Sequence, residues 1–280
     1  MMVRAYQQRS MNRYGDGLKV HKWRDEILAM AAKTPRTTRT SDLCGYHPVK
    51  GVISDTLPQL YGFLAEKRPD RVLSRRIGCA VGMYVGDGQG NNKEFQPFDP
   101  TKCGGPYPVA EILAEEKCGR FKLVVGQQTD DASMGHVLFV NYALLGHFHD
   151  LLLAKAGFLL WWTRGYCNGQ DRKPGFKVDA EATSVGLGGQ IGSTLNFNEL
   201  SPEKAFGTAP AVLTGGSTKN NGNGSLMRNA AFAALLRGPR RQRPALEVVA
   251  LQSAFNSFVT HSGVAAAMEA GIMAALASQA

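Results

Sequence analysis

Two stretches of this sequence hold residue types that could bind a cation or handle a proton. Thr129-Asp130-Asp131 follows Gly126-Gln127-Gln128 and opens an apolar-periodic run. Adjacent carboxylates plus a hydroxyl offer several hard oxygens, the donor set that Mg²⁺ prefers. The same residues also read as a helix start, because Thr caps helix N-termini and first-turn acids suit the helix dipole. Spacing alone leaves both readings open. The second stretch is Gly86-Asp87-Gly88-Gln89-Gly90, followed by Glu94-Phe95. Glycines around Asp87 would let a ligand approach the backbone closely. Glu94 would then project into a cleft; the plainer reading is a helix stop with an acidic loop.

Three further segments carry weaker signals. Asp179 ends Gly175-Phe176-Lys177-Val178-Asp179, where a lone Asp in a loop ahead of a helix is more often a cap than a catalyst. Residues 215–225 are rich in Gly and Asn, and lead through Gly222-Asn223-Gly224-Ser225 into Leu226-Met227-Arg228. Such a loop is either an exposed connection or a cradle of backbone N–H groups for a phosphate or pyrophosphate. It lacks the order of a P-loop. Thr260-His261 precedes an alanine-rich segment and reads as structural. His147 and His149 lack a metal-ligand pattern and read as packing or surface residues.

The elements that must hold these residues are helical. Apolar spacing predicts helices at 22–33, after Pro58, from Arg71 to a stop at Gly86, and at 108–116. Further helices are predicted from Thr129, at 149–164, 183–197, 225–236 and 245–258, and from 263 to the last residue. Polar loops separate them at 87–108 and 165–180. Phe121–Val125 is the best strand candidate, and it is short. Helices joined by polar loops imply an all-α domain.

Length and composition bound the rest. The 280 residues, 44% hydrophobic and 20% charged, exclude a disordered chain and a small disulfide scaffold. The net charge of +9 is uneven: residues 1–76 hold 15 Lys/Arg against 7 Asp/Glu. This divides the chain into a basic N-terminal extension, 1–70, and a nearly neutral domain, 71–280. The extension lacks a nucleic-acid-binding motif, so a solvated tail is favoured over nucleic-acid contact. Five cysteines without C-x-x-C spacing read as reduced thiols of an intracellular, cytoplasmic protein. The three Arg in residues 1–13 leave a mitochondrial presequence as the alternative. The apolar stretch 137–162 contains Asn141, Asp150 and Lys155, so a buried helix pair is expected rather than a membrane span.

In order, these segments resemble the ADP-ribosylglycohydrolase family, which includes dinitrogenase-reductase-activating glycohydrolases and crystallin-like relatives. Gly86 to Gly90 with Glu94-Phe95 is similar to its G-D-A-L-G-x-x-x-E-F. Gly126 to Met134 is similar to G-x-x-T-D-D-T-x-M, with Ala132 in place of a hydroxyl residue. Phe176 to Asp179 loosely follows F-D-I-G, Gly222 to Arg228 follows G-N-G-x-x-M-R, and Thr260-His261 fits a T-H step. The resemblance implies an all-α fold with a two-Mg²⁺ cleft and cleavage of ADP-ribose from a modified protein side chain or a related bond. It implies Thr129, Asp130 and Asp131 as metal ligands, and Glu94 and Asp179 as catalytic carboxylates. Asp87 and Gly222, Asn223, Gly224 and Ser225 would contact the ligand. The family's second acidic motif, D-x-D-T, is absent, since no Asp follows Asp179. The expectation is therefore a C-terminally incomplete domain with a partial metal site and little hydrolase activity. The alternative is a non-catalytic ADP-ribose-binding or crystallin-like member.

Overall fold

A computed structural model describes residues 17–34, 43, 71–91, 94, 95, 121, 123, 127–145, 150–168, 184–195, 221–235 and 246–279. These form helices α1 (Gly17–Lys33), α2 (Arg71–Gly90), α3 (Asp130–Leu145), α4 (Leu151–Arg164), α5 (Gly189–Leu195), α6 (Ala230–Leu235), α7 (Leu246–Ser257) and α8 (Val264–Gln279). A 3₁₀ turn spans Asn223–Ser225. The fold is all-α. The strand candidate shows Phe121 in a turn and Leu123 at an isolated bridge position. The helices expected after Pro58 and at 108–116, together with His147, His149 and Asp179, lie outside the described residues.

The apolar stretch 137–162 forms the paired helices α3 and α4, and no described helix is long and apolar enough to cross a membrane. Helix α4 is apolar nearly all round, which is the pattern of a fully surrounded helix. It packs against α1, α3, α5 and α7. Leu153, Phe158, Leu160 and Trp161 are buried on it, as are Met134, Val137 and Leu138 on α3. Each such side chain stabilises the fold by roughly 1.5–3 kcal/mol. The ends of α4 are well defined. Asp150 accepts the Leu153 N–H at 3.0 Å, and Gly165 stops the helix at φ 74°.

Helix α1 belongs to this core. Trp23, Ile27 and Ala31 recur along one face and join the same apolar cluster. Arg24 donates from Nε to the buried Asp150 carboxylate, so one side chain caps α4 and anchors α1.

Helices α7 and α8 pack together through small residues. Ala266, Ala267, Ala270, Gly271 and Ala274 are buried on α8. A Cβ on Gly271 would stand 2.9 Å from the Ala250 carbonyl oxygen, so only glycine permits this approach. The outer face of α8 exposes Val264, Met268, Ile272 and Leu276.

Three boundaries differ from expectation. Helix α2 runs to Gly90 rather than stopping at Gly86, so Asp87 lies inside its last turn. Its glycines were read as breakers, yet the turn is tied down from outside: Asn91 donates to the Gly88 carbonyl and to the Gln127 carbonyl. Val81 on α2 is 50% exposed. The glycine-rich segment 184–188 has no regular secondary structure, and α5 begins only at Gly189. The segment expected to be helical from Ser225 is a 3₁₀ turn and further turns before α6.

Candidate functional site

The C-terminal turn of α2 meets the N-terminus of α3 through Asp87. Its Oδ2 accepts the backbone N–H groups of Thr129 (2.8 Å) and Ala132 (2.9 Å). Its Oδ1 accepts the Thr129 hydroxyl at 2.7 Å. The capping expected of Thr129 is thus performed by a carboxylate 42 positions earlier. The Thr129 hydroxyl proton is thereby committed to Asp87, and the same oxygen lies 3.3 Å from Asp131 Oδ2. Asp87 lines the cleft, but its oxygens hold the wall in place.

That wall faces a cleft of about 1060 Å³. It brings together Asp87, Glu94, Thr129, Asp130 and Asp131 with Gly222, Asn223 and Gly224, and adds His261. Glu94 follows α2, its N–H bonded to the Gly90 carbonyl. The next residue, Phe95, has φ 62°, an unusual conformation for a bulky side chain. Phe95 meets Phe121 edge-to-face at 6.1 Å between centroids, and both line the cleft.

Crowding of carboxylates shapes the electrostatics. Asp130 is raised to about 8, first by burial and then by the charge of Asp131, with smaller effects from Asp87 and Glu94. Asp131 is raised to about 6 by burial and by Asp87. Burial also pushes Asp87 up, against the lowering effect of its hydrogen bonds. Such a group is strained while fully ionised, and a divalent cation would relieve that strain. The donors present are hard oxygens, which fit Mg²⁺. Among the described residues, no group of three His, Cys, Asp or Glu side chains converges into a complete cation site.

Glycine matters at one point of this wall. Gly186 has φ 87°, and a Cβ there would overlap Asp130 Oδ1 and stand 3.0 Å from Thr129 Cβ. The 184–188 segment thereby passes directly against Asp130 and Thr129. The Gly222–Gly224 turn lines the same cleft, with Asn221 Oδ1 accepting the Ala266 N–H at the start of α8. Ser225 is set apart from the cleft. It is buried, and its hydroxyl accepts from Ser257 at 2.8 Å.

His261 is the cleft residue that the sequence reading placed among structural residues. Its signal was the Thr260-His261 step itself. Its importance lies in its contact with Thr260, which in turn accepts from the distant Arg228.

A helical domain that gathers an acidic helix start and a glycine-asparagine turn onto one cleft defines a class. The chain belongs to the ADP-ribosylglycohydrolase family, which it matches over residues 68–280. A stretch of 97 residues is 31% identical to the ADP-ribosylarginine hydrolase Tri1 of Pseudomonas putida (strain GB-1). That stretch is 35% of this chain and 24% of that relative, so the chain spans about a quarter of the curated relative it matches.

Proposed function

We propose that this chain serves the removal of ADP-ribose from a modified protein side chain. The observation that carries this reading is one cleft shared by Thr129, Asp130 and Asp131 with the Gly222-Asn223-Gly224 turn. In this reading the turn faces the diphosphate with its backbone. Thr129, Asp130 and Asp131, with Glu94 nearby, would hold Mg²⁺. When bound, such an ion supplies orientation of the ribose hydroxyls and activation of water. Glu94 is placed at the cleft to hold or accept a proton. The glycosidic bond to the acceptor side chain breaks with oxocarbenium-like character, which an acidic wall stabilises. Asp179 remains a candidate proton acceptor on the family resemblance alone. The arginine-directed relative makes ADP-ribosyl-arginine the first substrate to test.

The test is ADP-ribose release from an arginine-ADP-ribosylated protein, with and without Mg²⁺. Release should depend on Mg²⁺, and Glu94→Gln should lower it by about 10²-fold or more. A chain that neither releases nor binds ADP-ribose in calorimetry would refute the proposal. The second reading, binding without turnover, draws on the incomplete convergence of carboxylates among the described residues. It predicts ADP-ribose affinity with no release.

A further inference from the structure

Arg228 follows the glycine turn and is fully buried, and among the described residues no carboxylate forms an ion pair with it. Its guanidinium lies 4.5 Å from the Phe158 ring centroid, a cation–π arrangement. Its Nε donates to Asn256 Oδ1 at 2.8 Å, and Nη2 donates to the Asn256 carbonyl at 3.0 Å. Nη2 also donates to Thr260 Oγ1 at 2.9 Å. Among the described residues, Nη1 has no hydrogen-bond partner. Burying a cation is costly, and a purely packing role would be filled better by an apolar side chain.

What Arg228 touches gives it a task. Guanidinium only donates, so Thr260 Oγ1 must accept from it. Thr260 Oγ1 also lies 2.8 Å from His261 Nδ1. Thr260 is fully buried, and its hydroxyl proton needs an acceptor. Among the described residues, His261 Nδ1 is the acceptor within reach. Nδ1 therefore carries no proton, and the proton of the neutral ring sits on Nε2. The Nε2 edge lies against the turn: Cβ atoms built at Gly222 and Gly224 would stand 3.5 and 3.3 Å from it.

We infer that Arg228 and Thr260 are positioning residues that hold His261 as the neutral Nε2–H tautomer, presenting a fixed hydrogen-bond donor to the cleft beside Gly222 and Gly224. Two facts support the fixed state. Burial and then the Arg228 charge lower His261 to about 3, so the ring stays neutral across the physiological range. Burial lowers Arg228 itself to about 9, partly offset by Asp130, so the cation that orders the relay persists at neutral pH. A donor aimed at the turn selects for a ligand acceptor oxygen there. This last step rests on the ADP-ribose reading; the tautomer does not.

The experiment is ¹⁵N NMR of imidazole-labelled full-length protein, with the His261 signals assigned by their loss in His261→Gln. The expected spectrum has a pyridine-like Nδ1 and a pyrrole-like Nε2, unchanged between pH 6 and 8. Thr260→Val should yield mixed tautomers and Thr260→Ser should restore the single one. ADP-ribose affinity by calorimetry should fall about tenfold in Thr260→Val, the worth of one hydrogen bond, and recover in Thr260→Ser. A pyrrole-like Nδ1 in the unsubstituted protein, or an unchanged tautomer in Thr260→Val, overturns the inference. If Thr260→Val does not fold, the unsubstituted spectrum still decides the tautomer. The expected tautomer without ADP-ribose binding would sustain the relay and sink the ligand reading instead.

Discussion

Asp87 holds Thr129 by two groups at once, the backbone N–H at 2.8 Å and the hydroxyl at 2.7 Å. The contact joins the end of α2 to the start of α3 and fixes the helix that carries both adjacent acids. A capping carboxylate from a distant helix does what a local cap does, and adds a tertiary restraint.

Asp87→Asn replaces one accepting oxygen by a donor, opposite groups that themselves donate. Unfolding in urea should show a loss of about 1–3 kcal/mol. Asp87→Ala should cost at least as much, since Thr129 and Ala132 then both lose their acceptor. An unchanged midpoint for both variants would remove Asp87 from this role.

Asp130 gives the protein without added metal a distinctive pH response. Its folded value, about 8, lies above the ordinary carboxylate value, so the folded state binds more protons than the unfolded one in that window. Stability should therefore fall as pH rises from about 4 to about 8. Asp131, raised to about 6, acts in the same direction over the lower part. Asp130→Asn should flatten the thermal-denaturation profile between pH 6 and 8 and raise the midpoint at pH 8. A profile equally steep in the variant would contradict the placement of this charge.

Gly186→Ala tests the wall over the acids. Its positive φ alone costs a residue with a side chain about 1–2 kcal/mol. The added methyl also collides with Asp130 and Thr129. Thermal stability should drop, and ADP-ribose binding should weaken more than the stability loss explains. Normal binding by a well-folded variant would show that the 184–188 segment does not shape the site.

Gly271→Ala sets helix propensity against packing. Propensity favours alanine by about 1 kcal/mol. The Ala250 carbonyl at 2.9 Å from the new methyl forces α7 and α8 apart, and this opposing effect should win. Gly78→Ala on α2 is the control, because its methyl would meet nothing within 4 Å. Chemical denaturation should show Gly271→Ala less stable and Gly78→Ala more stable than the unsubstituted protein.

The helical fold was largely legible, because long apolar runs such as 130–164 carry their period in the chain itself. Helix α7 was read almost to its ends for the same reason. Glycine-rich stretches were not. Gly86, Gly88 and Gly90 look like breakers, yet α2 passes through them because Asp87 and Asn91 bind the neighbouring 127–132 segment. Residues 184–188 look helical by spacing, but their backbone lies across Asp130 instead. His261 read as structural because the partners that define it, Thr260 and Arg228, meet only in the folded chain.

Residue types and their order are local properties, and they were enough to name the acidic pair, the glycine-asparagine turn, the helical class and the family. Whether a carboxylate binds a ligand, caps a helix or keeps its proton depends on burial and on charges many positions away. Only the tertiary structure could assign Asp87 to α3, raise Asp130 among its neighbours, turn Ser225 inward and set His261 beside the Gly222–Gly224 turn.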